Sequence, residues 1–344
     1  MRGPWIAWLG AVALGVFASP TPVQAPAEVP APPAAPATAL KLGVFFWHDS
    51  PNDEATYAGI QQGLREGGQA ATFVEQRAAA DPTKAKACFE ALRAARCDLV
   101  FAMGTQAALL AKDQLRDLPV VFAAVSNPVA SGIVPSWDGS GTNLCGASNW
   151  IAPQNVLAVF RLAVPGLKRL GLLRSAESGV VSAAEAAAMR AHLAANPEPH
   201  LELHEAIAKD QDGLAAAIAE LRAQQVDAIW IPIDLLVYQN LPLVQQALGT
   251  SPLPLLTTAA AGVRNGALVG AVVDYPLHGR RAAALALSVL RHGKAPGALP
   301  IDRLQGNLVV VNLAAARQHG IELPLSLLAI ADELIDPELF RAGR

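Results

Sequence analysis

From Leu40 onward, short apolar runs of strand length alternate with longer stretches of helical spacing. Residues 42–47 predict a strand, and 54–66 a helix whose Tyr57, Ile60 and Leu64 share one face. Residues 72–75, 99–103 and 120–125 predict further strands, with a helix over 82–95 and an alanine-rich helical stretch after Gly104-Thr105. The unit then begins again. Helices at 153–163, 182–195, 210–223 and 236–247 alternate with strands at 169–173, 201–206, 228–232 and 253–257. The tail predicts strands at 267–274 and 308–312 around a helix at 277–291, with Pro296 and Pro300 breaking the chain between. Strands alternating with helices of this length imply right-handed crossovers and parallel sheets. Two such series in 344 residues predict an α/β protein of two doubly wound parallel-sheet lobes with a ligand cleft between them. Residues 40–149 plus about 274–295 are assigned to the first lobe, and 150–273 plus about 296–340 to the second.

The strand ends carry the candidate chemistry. The run 99–103 stops at Gly104-Thr105, and the run 120–125 stops at Ser126-Asn127-Pro128. Thr105 thus stands where a parallel strand hands over to a helix N-terminus, whose free N–H groups and partial positive charge suit a carboxylate. In open α/β sheets, ligands bind outside the carboxyl ends of the strands. Ordinary turn chemistry uses the same residues and is the competing reading.

The N-terminus does not belong to this core. Met1-Arg2-Gly3 is a short basic start, residues 5–18 are apolar but short for a membrane span, and Val23-Gln24-Ala25 offers small residues for cleavage. Residues 1–25 are read as a secretory signal peptide and 26–39 as a stiff Ala/Pro-rich linker. No cysteine precedes Cys88, so a lipid-anchored product is not expected; the mature chain is expected to be periplasmic. Without Arg2 there remain 25 Lys and Arg against 29 Asp and Glu, a net charge of −4 with no basic cluster, which argues against nucleic acid. Three cysteines leave two readings open: Cys88 pairs with Cys97 while Cys145 stays free, or all three are small apolar side chains. Histidines and cysteines show no metal-ligand spacing, and no cofactor is expected.

Particular segments resemble the substrate-binding family of ATP-binding-cassette transporters typified by tryptophan/tyrosine-binding proteins. They are GTQAA at Gly104 to Ala108, VFAAVSNPVASGIV at Val121 to Val134, GTNLCGASN at Gly141 to Asn149, IPID at Ile231 to Asp234 and GALVGAVVDYPLHGRRAA at Gly266 to Ala283. The resemblance runs from about Leu42 to Ile335. It implies the type I periplasmic-binding fold, closure of two lobes on one small polar ligand such as an amino acid, docking on a membrane permease, a monomeric state and no catalysis. It places Thr105, Ser126-Asn127, Ser148, Asp234 and Thr257 at ligand positions. Gln106 replaces a common proline, Ser126-Asn127 a frequent Thr-Asp, and Trp47-His48-Asp49-Ser50 departs from the family pattern.

For a zwitterionic ligand, Thr105, Ser126 and Ser148 are the candidates for the carboxylate, and Asp234 for the ammonium. An aspartate after a strand is also a common helix N-cap. Trp47 is a candidate for stacking on a flat ligand; Tyr57 fits core packing better. Asp49 is a further acid beside the first strand, and Asp274-Tyr275 reads as a hinge. The alternatives are a sensory module using the same cleft, and an exported enzyme with His48, Asp49 and Glu54 as an acid–base group. Those three residues read first as a solvated loop and helix cap. No G-x-S-x-G, H-E-x-x-H or phosphate-loop pattern is present.

Overall fold

The computed structural model describes residues 39–176, 180–197 and 201–336. The expected signal peptide and residues 26–38 of the linker lie outside the described residues. The first lobe begins with β1 (Leu40–Phe46), α1 (Pro51–Glu66), β2 (Ala71–Arg77), α2 (Pro82–Ala94), β3 (Leu99–Met103), α3 (Thr105–Gln114), β4 (Val120–Val125) and β5 (Leu144–Ser148). Its strands pair in parallel in the order β5-β4-β3-β1-β2. The central strands are apolar on both faces because helices cover both. Phe45, Phe89 and Phe122 pack on one side, Phe46, Tyr57 and Ile60 on the other.

The second lobe follows with α4 (Pro153–Ala163), β6 (Arg169–Ser175), α5 (Val180–Ala195), β7 (Glu202–Ala208), α6 (Leu214–Ala223), β8 (Ala228–Ile231), α7 (Leu235–Gln239), α8 (Leu241–Leu248), β9 (Leu255–Thr257), α9 (Ala260–Arg264) and β10 (Val269–Val272). The helix expected at 236–247 is two helices meeting at Asn240, because the ring of Pro242 cannot sit inside a continuous helix. The chain returns to the first lobe through α10 (Tyr275–Leu290) and β11 (Asp302–Arg303), then crosses again to β12 (Leu308–Asn312), α11 (Leu313–His319), α12 (Leu325–Ala329) and β13 (Glu333–Ile335). The second sheet has the order β13-β12-β10-β9-β8-β6-β7, with only β10 and β12 antiparallel. Trp230 and Phe160 centre one of its cores, Leu173 and Ile229 the other.

Three segments connect the lobes, at 149–152, 273–274 and 304–307. Residues 302–303 were expected in the second lobe, yet they extend the first sheet, where Asp302 and Arg303 pair with Ala147 and Ser148. Glycines fix the return helix: a Cβ on Gly59 of α1 would overlap Pro276 O, and one on Gly279 of α10 would overlap Thr56 O. Only bare backbone permits so close a crossing, and it seats the first turn of α10 against the first turn of α1. All three cysteines are free and buried, so the Cys88–Cys97 pairing is not formed; both thiols pack among Phe89 and Leu92. No described helix is long and apolar enough to cross a membrane.

Candidate functional site

The carboxyl ends of both sheets face the space between the lobes, and each lobe brings one acid shielded from water to that side. Asp53 stands in the first turn of α1, which Ser50 caps with its hydroxyl and Pro51 opens. The Asp53 side chain is buried at 5% exposure, beside Gly104 at the start of α3. Burial raises its pKa to about 6, against the opposing pull of His48, while Glu54 adds to the rise.

Glu185 supplies the second acid, from α5 of the other lobe. Its carboxylate accepts the Ile233 N–H at 2.9 Å and the Thr258 hydroxyl at 3.0 Å, both just beyond strand ends. Burial raises its pKa to about 7 although both hydrogen bonds favour the charged form. Tyr275, the first residue of α10, is near enough to feel the charge of both acids. Its phenol is pushed up by burial and by the negative charges of Asp53 and Glu185, while the amides of Asn149 and Asn52 oppose the shift by hydrogen bonding. One acid from each lobe and a phenol from a crossing thus share one neighbourhood.

A cavity of about 460 Å³ lies between the lobes. Thr105, Ser126 and Asn127 line it from the first lobe, Trp150 from the crossing, and Val181 and Ala184 from α5, one residue before Glu185. The α3 N-terminus at its edge has Gly104 as N-cap, with φ of 87° and no side-chain cap. Its dipole end is therefore open to an anion. Below it, His278 accepts the Ala124 N–H at 2.9 Å through Nε2 and holds Ala124 at φ of 56°, where β4 bulges before Ser126. Burial keeps His278 neutral, with its pKa down at about 3, and the nearby Arg281 pushes the same way.

The expected site residues divide. Thr105, Ser126 and Asn127 line the cavity, although Asn127 Oδ1 is engaged by Ala130 N–H at 3.0 Å. Ser148 does not face it: it is 0% exposed, donates to Ser126 O at 2.5 Å and accepts Trp150 N–H at 3.2 Å. Asp234 is likewise withdrawn, at 1% exposure. It caps α7 through Val237 N–H and accepts both the N–H and the hydroxyl of Ser175, so its carboxylate is engaged from within its own lobe. Thr257 is 0% exposed and shares a hydrogen bond with the Tyr238 hydroxyl at 2.7 Å; its neighbour Thr258 reaches Glu185 instead. Trp47 packs on the first-lobe core, and Asp49 points to solvent, paired with Arg77 at 3.0 Å. Glu54 pairs with the same Arg77 at 2.7 Å. Glu185, Asp53 and Tyr275 were not assigned to the ligand from sequence. Among the described residues no cluster of His, Cys, Asp and Glu could hold a metal ion.

Two α/β lobes with three connections and a polar cleft define a two-lobed ligand-binding protein. Residues 41–335 match the family described as ABC transporter substrate binding protein, and the chain belongs to that family. A tyrosine-binding protein from Clostridioides difficile is 26% identical over 215 residues, a stretch that spans 62% of this chain and 61% of that relative. The ABC domain in complex with L-Trp from Streptococcus pneumonia is 27% identical, with a TM-score of 0.68, covering 87% of this chain and 100% of that one. The ligand-free, open form of a substrate-binding protein with adhesive properties from Clostridium difficile shares the fold, with a TM-score of 0.76 at 22% identity over 87% and 99% of the two chains.

Proposed function

We propose that this protein is the extracytoplasmic binding component of an ABC importer and that it closes its lobes on a free aromatic amino acid, without turnover, for delivery to a membrane permease. The observation that carries the ligand class is that Tyr275 feels the charge of both Glu185 and Asp53, one acid from each lobe, while Ala184, next to Glu185, lines a cavity with an open helix N-terminus. In this reading Glu185, assisted by Asp53, takes the ammonium. Thr105, Ser126 and the first N–H groups of α3 take the carboxylate. The ring enters the space walled by Leu109, Trp150, Val181 and Ala184. Family membership supports the binding role, and relatives named for tyrosine and L-Trp support an aromatic side chain. Removal of residues 1–25 on export accounts for the expected location.

A thermal-shift screen of the mature chain against the amino acids and matched amines and acids tests this. A ligand at a hundredfold excess over its Kd should add about 2.7 kcal/mol of stability. Tryptophan or tyrosine should give that shift, whereas tryptamine and indole-3-propionate, each lacking one charge, should not. A screen in which only sugars or inorganic anions stabilise the protein would overturn the reading.

A further inference from the structure

The hinge carries a second cavity, of about 500 Å³, within the range of small-molecule sites. Trp137 and Arg303 of the first lobe, Gln154 and Asn155 of α4 and Gln305 of the last crossing contribute to its wall, and Asn127 and Trp150 separate it from the first cavity, lining both. The Arg303 guanidinium lies 4.1 Å over the Trp137 ring. Backbone pairing sets this stack. Ile301 N–H donates to Trp137 O at 2.9 Å while Arg303 pairs with Ser148 on the edge of the first sheet. The adjacent acid is unavailable to neutralise the arginine, because Asp302 is held by Arg281 through two hydrogen bonds of 2.5 and 2.8 Å. Among the described residues, no carboxylate lies within ion-pairing distance of Arg303. Nor does any acidic residue among the described ones line the cavity.

We propose that this hinge cavity is a second binding site, for a flat aromatic carboxylate whose ring lies against Trp137 and Trp150 and whose anion sits on Arg303. A stacked guanidinium keeps its edge N–H donors available to a carboxylate while its face is covered, and it is far less costly to desolvate than an ammonium. The side-chain amides of Gln154 and Asn155 supply donors for the second carboxylate oxygen. The chemistry is opposite to that of the cleft, where two acids await a positive group. A carboxylate without an ammonium gains nothing from Glu185 or Asp53, so the two sites select different molecules. The wall is drawn from both lobes and two crossings, so its shape depends on how the lobes are set.

Calorimetric titration with 2-naphthoate tests the site, with 2-naphthamide as its uncharged counterpart. The wild-type chain should bind one 2-naphthoate saturably, and Thr105→Val, altered at the carboxylate end of the cleft, should bind it equally well. Arg303→Gln should weaken it by about tenfold or more, and 2-naphthamide should lose a similar factor on the unaltered protein, which needs no variant to fold. Absence of saturable binding, equal affinity for the amide, or equal affinity in Arg303→Gln would overturn the proposal. Loss of binding in Thr105→Val would overturn it as well, by placing the probe at the carboxylate end of the cleft.

Discussion

The Thr258 hydroxyl donates to the Glu185 carboxylate at 3.0 Å, and this bond ties a helix of the second lobe to the exit of β9. With the Ile233 N–H on the same oxygen, Glu185 is fixed rather than free to swing. A fixed, half-buried acid with its pKa raised to about 7 is poorly solvated when ionised. An arriving ammonium therefore recovers energy that water does not supply. Binding through Glu185 and Asp53 requires both to be charged. Affinity for an amino acid should be highest above about pH 7.5 and fall as the solution is acidified through pH 7 to 5, where the empty site takes up protons. Titration calorimetry in buffers of different ionisation enthalpy should also register proton release on binding near pH 6.5. A pH-independent affinity across that window would remove both acids from the site.

Asp53 gives a stability counterpart. Its pKa is 3.8 in the unfolded reference and about 6 when folded, so the native state binds the extra proton between those values. The sign follows: stability from this group is present below about pH 4 and is lost as pH rises through 6. Asp53→Asn should therefore stabilise the ligand-free protein at pH 7.5, by about 1–3 kcal/mol, and the gain should shrink towards pH 4. Urea unfolding at the two pH values checks it.

His278 acts in the opposite direction. Held neutral with a pKa of about 3 against 6.5 in the unfolded chain, it contributes stability above pH 6.5 that is lost as pH falls towards 3. Its Nε2 is the acceptor for the Ala124 N–H, and its Nδ1 has no partner among the described residues. His278→Ala should cost about 1–3 kcal/mol at pH 7.5 by leaving that N–H unpaired, and should reduce the loss of stability between pH 6.5 and 4. Thermal melts across pH 4 to 8 separate the two effects.

Much of the framework was legible because each element repeats one local pattern. The apolar runs ending at Met103 and Val125 could only be buried parallel strands, and the breaks after them put Thr105, Ser126 and Asn127 at the cavity. The burial of Glu185, the acid proposed for the ammonium, was not legible for a physical reason. Glu185 sits in an alanine-rich helix, SAAEAAAMR, where a lone glutamate has the composition of a solvent-facing position. Its burial comes from Ile233 and Thr258, which lie 48 and 73 residues away. The burial of Asp234 was hidden for the converse reason: its partner Ser175 is 59 residues upstream, and the β6–β8 pairing brings the two together. Pro242 breaks a helix that periodicity alone ran together, and β11 is too short for any periodicity to reveal.

The α1–α10 crossing positions Asp53 against Tyr275, so it should tolerate no added bulk. Gly279→Ala would press a methyl group onto the backbone carbonyl of Thr56. Relief requires parting two helices, so a loss of about 3 kcal/mol or more is expected, at or beyond the upper end for overpacked cores. Denaturant unfolding measures it, and amino-acid affinity should fall with it as the two first turns separate.

The account turns on which acid meets the ligand's ammonium, and calorimetric titration of tryptophan and tyrosine into Glu185→Gln and Asp234→Asn decides it. Glu185→Gln should weaken binding by about 2–5 kcal/mol while leaving the fold intact, because a half-buried charge pair loses one partner. Asp234→Asn should keep wild-type affinity within about 0.5 kcal/mol and instead lose about 1–3 kcal/mol of unfolding free energy, since its carboxylate serves Ser175 and Val237. Undiminished affinity in Glu185→Gln, with binding abolished in a stably folded Asp234→Asn, would contradict the account.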